Sequence, residues 1–124
     1  MRILALALAA PFLVAAAGDM SVATFLTKAN ALQLKGPLAL MSSDFGLLKR
    51  EVEASTGAWA RDQKVARARG DRSLGCLPAG QTNLSYGQKQ VLADMNAIPA
   101  AERARTTVRQ AVSRGWARRF PCAR

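Results

Sequence analysis

The sequence predicts an all-α fold: a small four-helix bundle-like domain with one disulfide, preceded by a cleaved signal peptide. Three observations predict it. Apolar residues recur at helical spacing in four segments, no run alternates with the two-residue period of a strand, and Gly, Pro and Ser mark the joints. At 124 residues there is room for one core.

The first element is a leader over residues 1–17. Met1-Arg2 supplies a charged start, Ile3 to Val14 an apolar run, and Ala15-Ala16-Ala17 before Gly18 a small-residue cleavage site. The run is too short, and too interrupted by Pro11, to anchor in a bilayer. No cysteine follows the cleavage site, which argues against a lipid anchor. A single helical domain over 18–124, exported to the periplasm, is the expectation.

The first helix is predicted from about Ser21 to Leu34, with Val22, Phe25, Leu26, Ala29 and Leu32 on one face. Asp19 or Ser21 caps its start, and Gly36-Pro37 ends it. Pro37 suits the first turn of a second helix. There Leu38, Met41, Phe45, Leu48, Val52 and Trp59 repeat at steps of three and four, with Ser55 or Thr56 as a weak link. Ser42-Ser43-Asp44 offers a fresh start within it, and Gly57 costs about 1 kcal/mol relative to Ala. Residues 57–75 are read as a protruding basic helix end that frays into a loop near Gly70.

Cys76-Leu77-Pro78-Ala79-Gly80 is a turn-rich element. A third helix begins at Ser85, where Gln88 completes a capping-box pattern, and it buries Val91, Leu92 and Met95 before Ile98-Pro99. Pro99 reopens the chain as a fourth helix burying Ala104, Val108, Ala111, Val112, Trp116 and Phe120. Pro121 stops it, and Cys122 follows.

Composition closes many enzyme classes. The chain has no histidine, the commonest general base and metal ligand. Its two cysteines are too few for a zinc site and allow one intramolecular disulfide. Asp44, Glu51 and Glu53 are the carboxylates closest to a pair, but Glu51 and Glu53, two apart, face different sides of a helix. Ser42, Ser43 and Ser85 have no histidine base and read as caps. No glycine loop of phosphate-cradling type is present. Neither catalysis, a cofactor nor a metal is expected.

An exported chain meets an oxidising compartment, so Cys76 and Cys122 are expected to pair. Closing a loop of roughly 47 residues restricts the unfolded chain by about 4 kcal/mol on the chain-entropy argument. The sequence carries 18 Lys and Arg against 8 Asp and Glu, a formal charge of +10, and removing the leader takes away Arg2 alone. Arg61, Lys64, Arg67, Arg69 and Arg72 crowd one stretch, with Asp62 and Asp71 opposing them. Such a cluster is either a solvated face or a docking surface for an acidic partner. Nucleic acid is not expected, since the chain is exported and no aromatics interleave the cations. Anionic lipid is the other candidate. Trp59 and Trp116 sit on apolar stripes and read as core, Trp59 nearer an exposed helix end.

Cys76-Leu77-Pro78, Gly80, Gln88, the Val91-Leu92 pair and a helix ending Arg119-Phe120-Pro121-Cys122 together resemble the Rap/Tai immunity proteins, periplasmic antidotes to type VI secretion amidase effectors. The resemblance covers Cys76 to Cys122. It implies an all-helical exported fold, a disulfide between the Cys-x-Pro loop and the terminal Phe-Pro-Cys, and binding that blocks a peptidoglycan-cleaving site, often as a homodimer. The chain departs from that family in four ways. It lacks the second cysteine pair, its spacer Ala79 to Gly87 is longer, it adds the Arg61–Arg72 run, and only Ile98-Pro99 stands for a His-Pro segment.

The function expected is that of a non-catalytic exported binding protein of immunity or inhibitor type, with an exported effector as partner. Two alternatives accompany it. One is a basic envelope-associated structural protein. The other resembles the small acid-activated Hde-type periplasmic chaperones, for which eight acidic groups and no histidine make a poor acid trigger.

Overall fold

A computed structural model describes residues 18–81 and 84–123, so the leader expected over residues 1–17 lies outside the described residues. Helix α1 (Val22–Leu34) starts where the Ser21 hydroxyl accepts from the Thr24 amide at 3.1 Å. Its buried face is Val22, Phe25, Leu26, Ala29 and Leu32, as the spacing predicts. Gly36, at φ +57°, turns the chain out of the helix.

The second segment is not one helix from Pro37. Gly36–Met41 forms a 3-10 helix, Ser42 is extended, and helix α2 (Ser43–Ala68) begins afresh. The break has a local cause: the Ser42 hydroxyl accepts from the Asp44 amide at 3.3 Å, and Asp44 lies in the positive first turn. Because the 3-10 segment repeats every three residues, Leu38 and Met41 leave the α2 stripe and stay 68% and 86% exposed. Leu48, Ala58 and Trp59 carry the buried stripe onward.

Gly57 does not break α2. Burial of its neighbours Ala58 and Trp59 outweighs the helix cost of one glycine. Nor does the basic end fray. Asp71 N–H bonds to Ala66 C=O at 2.9 Å and Gly70 N–H to Arg67 C=O at 2.9 Å, with Gly70 at φ +79°. This double bond pattern closes the helix as a Schellman motif.

The loop after α2 is pinned by buried polar groups. Trp59 Nε1 donates to Leu74 C=O at 2.7 Å, and the Leu77 amide donates to Gln63 Oε1 at 3.1 Å. Helix α3 (Gln88–Asn96) starts two residues later than Ser85 would place its first turn. Gly87 is the N-cap, and its N–H donates to the Gln90 side chain at 3.3 Å; glycine has no side chain to return the bond, so only this half of a capping box forms, and through Gln90 rather than Gln88.

Pro99 opens no long helix. A 3-10 turn, Ala100–Glu102, follows it, and helix α4 (Val108–Arg119) begins behind a capping box in which Thr107 and Gln110 exchange bonds at 3.1 and 3.0 Å. Ala104 is therefore exposed. Arg103 takes over the carbonyls left by α3, donating to Ile98 C=O at 2.8 Å and Asn96 C=O at 3.1 Å. Backbone bonds Val22 N–H to Thr106 C=O and Val108 N–H to Met20 C=O, both 2.8 Å, tie the starts of α1 and α4.

No strand forms among the described residues, only the isolated Ser21–Thr107 bridge. Helix α4 lies along α2 as the main packing pair, with α3 against α4 and α1 against α2. The core runs between them through Trp59, Met95, Val108, Val112 and Trp116.

Candidate binding surfaces

The five cations singled out by the sequence are all exposed. Arg61, Lys64 and Arg67 follow one another at three-residue spacing on α2, which keeps them near one side of the helix. Arg69 and Arg72 continue the patch over the helix end. Two of the five also hold the structure together. Arg67 Nη1 donates to Leu77 C=O at 2.8 Å, and Arg72 Nη1 to Ala123 C=O at 3.0 Å. Each grips the chain next to one cysteine.

Arg61, Lys64 and Arg69 form no ion pair among the described residues. The neighbouring acids are turned to other uses. Asp62 takes Arg109 at 2.6 Å. Asp71 accepts from the Ser73 amide at 2.9 Å, and that bond holds its carboxyl below the ordinary carboxylate value. Asp71 keeps its own negative charge, and the five cations of the patch outnumber the two acids. A hollow of about 370 Å³ beside it is lined by Arg67, Gly70, Arg72, Cys76, Cys122 and Ala123.

The Cys76 and Cys122 sulfurs lie at disulfide distance, 1.92 Å. Cys76 N–H also bonds to Phe120 C=O at 2.7 Å. Gly75, at φ +84°, permits this approach, since a Cβ there would sit 2.6 Å from the same carbonyl.

Behind the disulfide, Trp59 is fully buried, as its place on the apolar stripe predicts. Its ring stacks on Trp116 at 5.4 Å and on Phe120 at 6.0 Å. Tyr86 tilts against Trp116 at 5.0 Å. Both tryptophans are core.

One polar cluster escapes sequence reasoning altogether. Asp94, buried on α3, accepts from the Tyr86 hydroxyl, from Arg118 at 3.2 Å, and from Arg119 at 2.9 and 3.2 Å. The Arg119 guanidinium lies over the Tyr86 and Trp116 rings at 5.1 and 5.3 Å. Burial first, then the neighbouring Asp94, pushes the Tyr86 phenol above its ordinary value. It stays a protonated donor. Gly115 makes room for this cluster, since a Cβ at that position would run into the Asp94 carboxylate. The signal was available only as an unexplained glycine inside an apolar stripe.

The other carboxylates are dispersed. Asp44 faces Lys28 at 3.3 Å, Glu53 lies 3.9 Å from Lys49, and Glu51 turns inward. Ser42 is a cap, as expected, whereas Ser85 is not.

A second surface is apolar. A cleft of about 470 Å³ opens between α1, the Gly36–Met41 segment, α2 and α3, walled by Phe25, Leu32, Phe45, Leu48, Val52 and Val91. Leu40, which lines it, is 70% exposed. Sequence reasoning buried this stretch because it extended the α2 stripe across Ser42.

Among the described residues, no helix is long and apolar enough to cross a membrane. No protein-family model, curated protein or solved structure matches the chain.

Proposed function

We propose that the protein is a non-catalytic exported binding protein of immunity or inhibitor type, whose partner is an acidic face of an exported effector. The observation that carries this reading is the uncancelled positive surface at the end of α2. Arg61, Lys64 and Arg69 stand on a closed helix terminus with no ion pair among the described residues, and Asp62 is paired with Arg109 instead. A rigid basic patch raises association rates with an anionic partner and sets register on it. The disulfide and the resemblance of Cys76–Cys122 to the Rap/Tai frame support an exported, effector-directed role.

The test is inhibition of the exported peptidoglycan amidase encoded beside its gene by the mature, oxidised protein. The reading expects stoichiometric loss of amidase activity, weakened at least tenfold, about 1.4 kcal/mol, when Arg61, Lys64 and Arg69 are changed to Glu. Full amidase activity in excess protein, or no such neighbour, overturns it.

One observation favours a second reading, attachment to the anionic envelope surface. Leu34, Leu38, Leu40 and Met41, close in sequence, are all exposed, and apolar side chains on a basic protein suit a lipid interface. Sedimentation with phosphatidylglycerol vesicles, lost on changing Leu40 and Met41 to Ser, supports this reading. Absence of sedimentation at low salt rejects it.

A further inference from the structure

Gly18, the residue after the leader, is buried, and its nitrogen lies 2.5 Å from Glu51 Oε2. Its carbonyl accepts from the Arg109 amide at 3.1 Å, in the first turn of α4. Its φ of +99° favours glycine, and a Cβ there would be tightly placed, 3.1 Å from Ser55 Oγ and 3.4 Å from Arg109 Cβ. Glu51 is only 7% exposed and has no side-chain cation among the described residues. One helical turn further along α2, the Ser55 hydroxyl is fully buried beside the same glycine and has no hydrogen-bond partner among the described residues.

A buried carboxylate without a cation is costly, and so is an unpaired buried hydroxyl. One event resolves both. We infer that removal of the leader creates a buried ion pair: the new α-ammonium of Gly18 docks on the Glu51 carboxylate, with the Ser55 hydroxyl as a second acceptor beside it. Hydrolysis of the Ala17–Gly18 bond consumes one water, leaves a carboxylate on Ala17, and gives Gly18 an amine that takes up a proton at neutral pH. The amide that precedes cleavage offers one neutral N–H; the ammonium offers three donors and a full charge. Processing therefore completes the packing of α2 against α4, and the fold is strongest only after export. This inference rests on the leader reading of residues 1–17 and is independent of the partner proposed above.

Three measurements test it. N-terminal sequencing of the protein recovered from its own envelope is expected to begin at Gly18, and any other start overturns the inference. Thermal unfolding then compares the chain starting at Gly18 with the same chain extended by Ala-Ala, each with Glu51 and with Glu51→Gln. With Glu51 the native start is expected to melt at least about 5 °C higher, and with Glu51→Gln the difference is expected to shrink below about 1 °C. Equal melting of the two starts, or a gap that survives Glu51→Gln intact, overturns the ion pair even if cleavage is where expected. Acetylation of the N-terminal amine at pH 7 needs no Glu51 variant. It is expected to be at least tenfold slower at Gly18 than at the Ala-Ala extension, and equal rates overturn the docking.

Discussion

Towards its C-terminal end α2 buries Trp59 in a stack with Trp116 and Phe120, and within a few residues the loop beyond it is tied by Trp59, Gln63, Arg67 and the Cys76–Cys122 bridge. Before its N-terminal end, the Gly36–Met41 segment leaves Leu38, Leu40 and Met41 in solvent beside an open cleft. Both regions are rich in apolar side chains. They differ in what fixes the backbone that carries them. At the disulfide end, hydrogen bonds and a covalent tie fix the loop against the rings, and Gly75 and Gly115 let chains approach closely. At the other end the 3-10 segment has no buried residue, and no side-chain hydrogen bond or disulfide to it is present among the described residues. Apolar content alone does not make a core; orientation by polar and covalent ties decides which residues join it.

Truncation separates the two regions most sharply. Trp116→Ala removes the ring shared by Trp59, Tyr86 and Phe120 and is expected to cost about 3–5 kcal/mol in urea unfolding. Breaking the disulfide with Cys122→Ser is expected to cost at most about 4 kcal/mol, the chain-entropy value for this loop, in the same assay. A smaller loss, about 1–3 kcal/mol, is expected for Gly115→Ala, because the added methyl must displace Asp94 from Arg119 and Tyr86. If Gly115→Ala is silent, the buried cluster is not what holds α3 to α4.

The single tyrosine offers a probe that needs no variant. Its raised folded-state value means that the native protein keeps the phenolic proton after the unfolded chain, near its ordinary 10.0, has lost it. The associated stability is present below pH 10 and drains away as pH rises above it. Tyrosinate absorbance is expected to appear above pH 10 in native protein and near pH 10 in denaturant; coincident titrations would remove Tyr86 from the cluster. The smallest effect belongs to the open end. Leu38→Ser and Met41→Ser are each expected to change stability by no more than about 0.5 kcal/mol.

The buried faces of α1 and of α4 from Val108 onward were legible because each follows from spacing within a few residues. The Cys76–Cys122 pairing was legible from the cysteine count and the export that the sequence of residues 1–17 leads one to expect. Ser42 was visible as a cap, but whether a cap beats the continuing stripe depends on packing of Leu38 and Met41 that no local pattern records. Trp59 was legible as core from its place on the apolar stripe, whereas the Schellman closure at Gly70 was not, because that closure needs backbone bonds rather than apolar side chains. Asp94 was invisible for a different reason: its partners lie 8, 24 and 25 residues away, on a loop and another helix. The basic patch was readable as charge, whereas the structural duty of Arg67 and Arg72 was not.

Native-state amide hydrogen exchange on the oxidised protein tests the division most directly. The account predicts that amides of Ser55–Gln63 on α2 and Val112–Trp116 on α4 exchange only through global unfolding, while those of Leu38–Met41 exchange at least about a hundredfold faster. Equal protection in the two regions would contradict it.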